Sequence, residues 1–89
     1  MKIQASHILV NTLYEAQEIK EQLDKGADFA FLARKHSKCP SGQNGGDLGW
    51  FERGQMVKPF EDAAYGTLVK AVTGPVQTQF GYHVIKRTA

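Results

Sequence analysis

Eighty-nine residues, 42% hydrophobic and with five Phe, three Tyr and one Trp, suffice for one ordinary core, so residues 1–89 are expected to fold as a single domain. The lone cysteine, Cys39, excludes an internal disulfide framework and a multi-cysteine zinc site, and points to a reducing interior. A net charge of +2 with its cations scattered along the chain argues against a nucleic-acid surface. No apolar run approaches bilayer length, and "MKIQASHILVNTLYEAQ" lacks a leader-like apolar core, so the expectation is a cytoplasmic protein with no membrane partner.

Lys2 to Val10 reads as a strand with Ile3, Ala5, His7 and Leu9 on one face and Ile8 and Val10 on the other. Apolar side chains on both faces predict a central strand covered on each side. "TLYE" (12–15) matches a capping box, so Thr12 starts a helix in which Leu13, Ala16, Ile19 and Leu23 recur at helical spacing until Gly26. Asp28 caps a second helix with Phe29, Leu32, Ala33 and His36 in one stripe, ended by Pro40.

"CPSGQNGGDLG" (39–49) is a glycine loop, "LGWF" (48–51) a short strand and "ERGQ" (52–55) a turn. "KPFEDAAYG" (58–66) is a short helix with Pro59 in its first turn. Gly74–Pro75 reads as another turn, and Val76–Thr78 with Tyr82–Arg87 as a closing hairpin. The order β-α-α-loop-β-α-β-β predicts an α+β domain with helices around a small sheet.

Two histidines, His7 and His83, sit in the terminal strands among aliphatic residues. If those strands pair, the imidazoles can share a hydrogen bond across them, and the hydroxyls of Ser6 and Thr78 can extend the network. Such a buried network is costly unless it is satisfied, which implies a use. Cys39 is a nucleophile if His7, His36 or His83 serves as its base, and otherwise a small half-buried thiol. "HSKC" (36–39) admits a metal site completed by the strand histidines, but lacks the paired spacing that zinc sites show. Phe51, Met56, Phe60, Phe80 and Tyr82 complete the set. Met56 and Phe80 fall in or beside turns, where apolar side chains line something: a pocket suited to a small apolar ring.

Three collinear motifs, "SHILV", "GGDLGWFERGQMVKPFEDAA" and "GPVQTQFGYHVIK", resemble the parvulin family of peptidyl-prolyl cis/trans isomerases across nearly the whole chain. The likeness is to the minimal single-domain prokaryotic type. It implies a four-stranded, mainly antiparallel sheet surrounded by about four short helices, one of them a turn in the glycine loop. It also implies that His7 and His83 are the paired strand histidines, Cys39 the Cys-or-Asp position beside them and Thr78 the adjoining hydroxyl. Leu48, Met56 and Phe60 match the wall of the proline pocket, with Phe80 in the same hairpin as Thr78.

The resemblance further implies no cofactor and no metal. The expected partners are proline-containing peptides and unfolded or partly folded proteins, met by a monomer. Phosphate-directed members carry a basic loop after the first strand; here that link is "NTLYE", so an apolar or neutral residue is expected before the substrate proline. The expected activity is rotation about Xaa-Pro bonds by non-covalent stabilisation of the twisted amide. The alternatives are a non-catalytic module that holds proline-containing or unfolded segments, and a covalent cysteine hydrolase.

Overall fold

The computed structural model describes all residues from Met1 to Ala89. Four strands, β1 (Ile3–Val10), β2 (Asp47–Phe51), β3 (Val72–Thr78) and β4 (Gly81–Arg87), form one antiparallel sheet in the order β2-β1-β4-β3. The helices are α1 (Leu13–Asp24), α2 (Phe29–His36) and α3 (Lys58–Tyr65), with a 3-10 helix over Pro40–Asn44 inside the glycine loop. This is the expected α+β arrangement, and every strand pairing in it is antiparallel.

Local chemistry sets the helix starts. The Thr12 hydroxyl accepts the Glu15 amide (3.1 Å) and donates to its carboxylate (3.0 Å), and Asp28 accepts the Phe31 amide (2.9 Å). α3 begins with Pro59 in its first turn instead of a side-chain cap.

The two faces of β1 bury different cores, as its two apolar sets required. Ile8, Val10 and Val84 pack with Ala16, Ile19, Phe29, Leu32 and Ala33 of α1 and α2. Ile3, Ala5 and Ile85 pack with Phe51, Phe60 and Ala64 on the α3 side. Alternation along β1 and β4 places His7 and His83 on this second face, within the sheet's two central strands.

One expected element differs. Gly74–Pro75 is not a turn: β3 runs through it, with an irregularity in register between Thr73 and Val76. Sequence punctuation marks a bulge as readily as a turn, and β3 is an edge strand, where proline's missing donor is tolerated. Gly74 has φ +129°, and a Cβ there would come within 2.7 Å of the His83 carbonyl oxygen.

Gly46 does the same for the other histidine. Its carbonyl accepts the His7 amide (2.9 Å), its φ is +86°, and a Cβ there would overlap the His7 carbonyl oxygen. Gly46→Ala is expected to cost about 2 kcal/mol, combining left-handed strain with displacement of the loop from β1. In a domain of this size that lowers Tm by roughly 10 °C, measurable by calorimetry.

Candidate active site

β1 and β4 pair with His7 opposite Ile85 and Leu9 opposite His83, so the histidines are diagonal neighbours on one face. Their rings lie 5.1 Å apart and nearly parallel, with Nδ1 to Nδ1 at 2.9 Å. That distance requires one proton between the two nitrogens. His83 Nε2 is 2.7 Å from the Thr78 hydroxyl, which also accepts the Phe80 amide (3.2 Å) and ties the network to the β3–β4 turn. His7 Nε2 is buried without a protein partner. Each ring nitrogen is therefore either engaged by the network or shielded.

Phe60 wedges edge-on against both rings, at 5.5 Å from His7 and 5.3 Å from His83. It is only 3% exposed and belongs to the core as much as to any wall. Truncating it would open a core cavity worth about 3–5 kcal/mol, so its substitution does not report binding alone.

Cys39 reaches the site through the end of α2. The Ser37 hydroxyl accepts the Leu9 amide (3.1 Å), and the Lys38 amide donates to the Leu9 carbonyl (2.7 Å). These bonds fasten residues 37–39 along the end of β1. The Cys39 sulfur accepts a hydrogen bond from the Ser41 hydroxyl (3.2 Å) and makes none with either histidine. His36 lies outside the cavity, and no three His, Cys, Asp or Glu side chains cluster closely enough to hold a metal.

Over this floor opens a cavity of about 500 Å³. His7, His83, Cys39, Leu48, Met56, Phe60 and Phe80 all line it, as expected from sequence; Thr78 does not, and holds His83 from behind. Phe80, 60% exposed, forms the rim. Leu48 reaches the wall where β2 shifts register against β1, in a turn closed by the Gly49 amide on the Asp47 carboxylate (2.8 Å).

The sequence reading missed Leu9, Lys38, Pro40, Gln55 and Val57, which also line the cavity. It missed Glu61 as well, a carboxylate 7% exposed that accepts the Gly54 amide (2.5 Å) and the Arg53 guanidinium (3.0 Å). Glu61 thereby fixes the segment that presents Gln55, Met56 and Val57. A glutamate one residue after a buried phenylalanine was the available signal, since on a short helix it shares the inward side.

Residues 7–89 match the family of PPIC-type PPIase domains. The chain belongs to that family. The foldase protein PrsA of Geobacillus sp. (strain WCH70) is 60% identical over 88 residues, covering 98% of this chain and 32% of the relative. The chain thus spans about a third of the length of such curated relatives. The crystal structure of PrsA from Bacillus anthracis superposes with a TM-score of 0.96 at 49% identity, covering 98% of this chain and 41% of that one. NmPin, the parvulin of Nitrosopumilus maritimus, superposes with a TM-score of 0.89 at 47% identity, covering 99% of this chain and 96% of that one. The fold is thus that of the parvulin domains among these neighbours.

Burial makes protonation of the floor unfavourable. It lowers the pKa of His7 from 6.5 to about 4, with a further contribution from the charge that His83 would carry. Burial likewise lowers that of His83. Unfolded histidines titrate near 6.5, so between there and about 4 the unfolded chain binds more protons than the folded one. Stability is complete above pH 6.5 and declines as the pH falls towards 4. Urea midpoints measured against pH should show this decline, and His7→Leu should flatten it.

Proposed function

We propose that this cavity grips the proline ring of an Xaa-Pro segment and lets the preceding carbonyl rotate above the histidine floor. The observation that carries the reading is an apolar cavity, roomy enough for a proline ring and a neighbouring residue, whose walls, Leu48, Met56, Phe60 and Phe80, close on the hydrogen-bonded His7–His83 pair and Cys39. Isomerisation breaks no covalent bond. Its obstacle is amide resonance, about 18–20 kcal/mol, and an enzyme lowers it by binding the twisted amide better than either planar form.

In this reading His7, His83 and Thr78 hold the floor and its electrostatics, and do not act on the amide. Cys39 contributes a soft polar surface; its Ser41 bond, in place of a base, argues against covalent chemistry. Met56, half-buried on the loop fixed by Glu61, and Phe80 at the rim supply contact with the ring. Residues 1–89 act as one isomerase unit, a monomer on proline-containing or partly folded chains, in a reducing cytoplasmic setting that suits a free Cys39.

The residue directly before proline is apolar or neutral. The link between β1 and α1, Asn11–Thr12, carries no cation, and Lys38 is the one ammonium in the cavity wall. A phosphate dianion there would lack the fork of cations it requires.

Exchange NMR or a protease-coupled assay on Xaa-Pro peptides tests this, with Xaa varied through Leu, Phe, Ala, Glu and phosphoserine. Acceleration should be greatest for apolar Xaa, and a phosphoserine preference would sink the specificity part. No acceleration of any peptide, with binding retained, would leave a chaperone-like module instead. Met56→Ala should lower kcat/KM about tenfold, mostly through KM, for loss of part of a buried side chain. Cys39→Ser should keep most activity; complete loss with the fold intact would revive a covalent step.

A further inference from the structure

We propose that the groove between the last turn of α2 and the 3-10 helix is a second substrate subsite, which takes an acidic side chain flanking the proline. Arg34 and Lys38 are its receiving cations. The inference rests on the isomerase reading of the neighbouring cavity.

The groove has a volume of about 330 Å³ and includes Arg34, Ser37, Lys38 and Gln43 in its lining. It shares Lys38, Cys39 and Pro40 with the proline cavity, so the two lie side by side along a lip of three residues. A peptide seated by its proline ring over Met56 has its neighbouring residues within reach of this groove.

Charge along the chain is uneven at this place. Between Asp28 and Asp47 the sequence carries Arg34, Lys35 and Lys38 and no acidic residue. The ion pairs of the fold lie on α1 and around α3, and neither Arg34 nor Lys38 takes part in one. The groove lining holds two cations and no carboxylate.

Helix electrostatics account for part of this, since cations in a last turn favour the helix dipole. Lys35 fits that account, and its ammonium sits 6.0 Å above the Phe31 ring. Lys38 does not: it lies beyond the helix cap, in the wall of the proline cavity. Its backbone is pinned to Leu9, which fixes where its side chain starts. Two unpaired cations at a fixed lip, beside an apolar cavity with a neutral floor, favour an anionic neighbour of the proline over a cationic one.

The site differs from a phosphate clamp. Arg34 stands on the α2 side and Lys38 on the lip itself, and a single carboxylate is the ligand they match.

The test is a glutamate scan of an Ala-Pro reference peptide, keeping the Ala-Pro pair and replacing one residue at a time on each side of it, with a parallel lysine scan. Glutamate at one position or two adjacent ones should raise kcat/KM about fivefold through KM, the scale of two partly exposed charge pairs. Added salt should erase the gain. Arg34→Gln should leave the reference peptide unchanged and reduce the Glu-to-Ala ratio, Arg34→Lys should restore it, and Lys38→Gln should reduce it further. A flat scan, or a gain that survives both neutral variants or high salt, overturns the subsite. Failure to turn over the reference peptide would overturn the isomerase reading itself.

Discussion

A single shared proton between His7 and His83 sets the terms for the rest of the site. At 2.9 Å the two Nδ1 atoms cannot both carry hydrogen, and burial disfavours charge on either ring. The pair must therefore be neutral and directional, and the directionality propagates. Either Thr78 donates to His83 Nε2 and His83 to His7, or the order reverses and Thr78 receives. In both cases the Phe80 amide is held by the same hydroxyl, so the state of the floor is tied to the hairpin at the cavity's rim. The domain keeps this network largely buried by building the floor into its two central strands.

Embedding polar rings in a sheet creates a packing problem that glycine solves. Gly46 and Gly74 press their backbones against the carbonyls of His7 and His83, where any side chain would collide. Phe60 closes the remaining side by standing edge-on to both imidazoles. Gly46, Gly74 and Phe60 thereby immobilise the floor. The walls are treated differently: Met56 and Phe80 sit on connections, braced by Glu61 and by Thr78, where small adjustments are cheap.

This division explains what could be read from sequence. Strand periodicity in Lys2–Val10, the Thr12 and Asp28 caps and the conspicuous histidines were enough to place β1, α1 and α2, and to anticipate a cross-strand pair. The parvulin likeness supplied the identities of the cavity wall. Three features escaped. Gly74–Pro75 carries the same punctuation as a turn, and only the pairing with β4 reveals a bulge. Phe60 matched a wall position, but its wedge between two imidazoles is a contact of high sequence separation. Glu61 and Lys38 look like ordinary surface charges until the fold buries one and sets the other on a lip.

The pairing within the floor has a chemical consequence. A hydrogen bond donated to an amide oxygen strengthens the charge-separated resonance form and so raises the barrier to rotation. Free imidazole N–H groups beneath the carbonyl that precedes the proline would therefore oppose the reaction. Here His83 spends both nitrogens on His7 and Thr78, and His7 spends one on His83 and keeps the other out of solvent. In the reading proposed above, the rings give the site shape and a fixed dipole, and His83 has no donor left for the rotating carbonyl. Exclusion of water by the surrounding walls acts in the same direction, since water is itself a donor to that oxygen. A site that must loosen a planar amide is served by polar groups that bond to one another and not to that amide's oxygen.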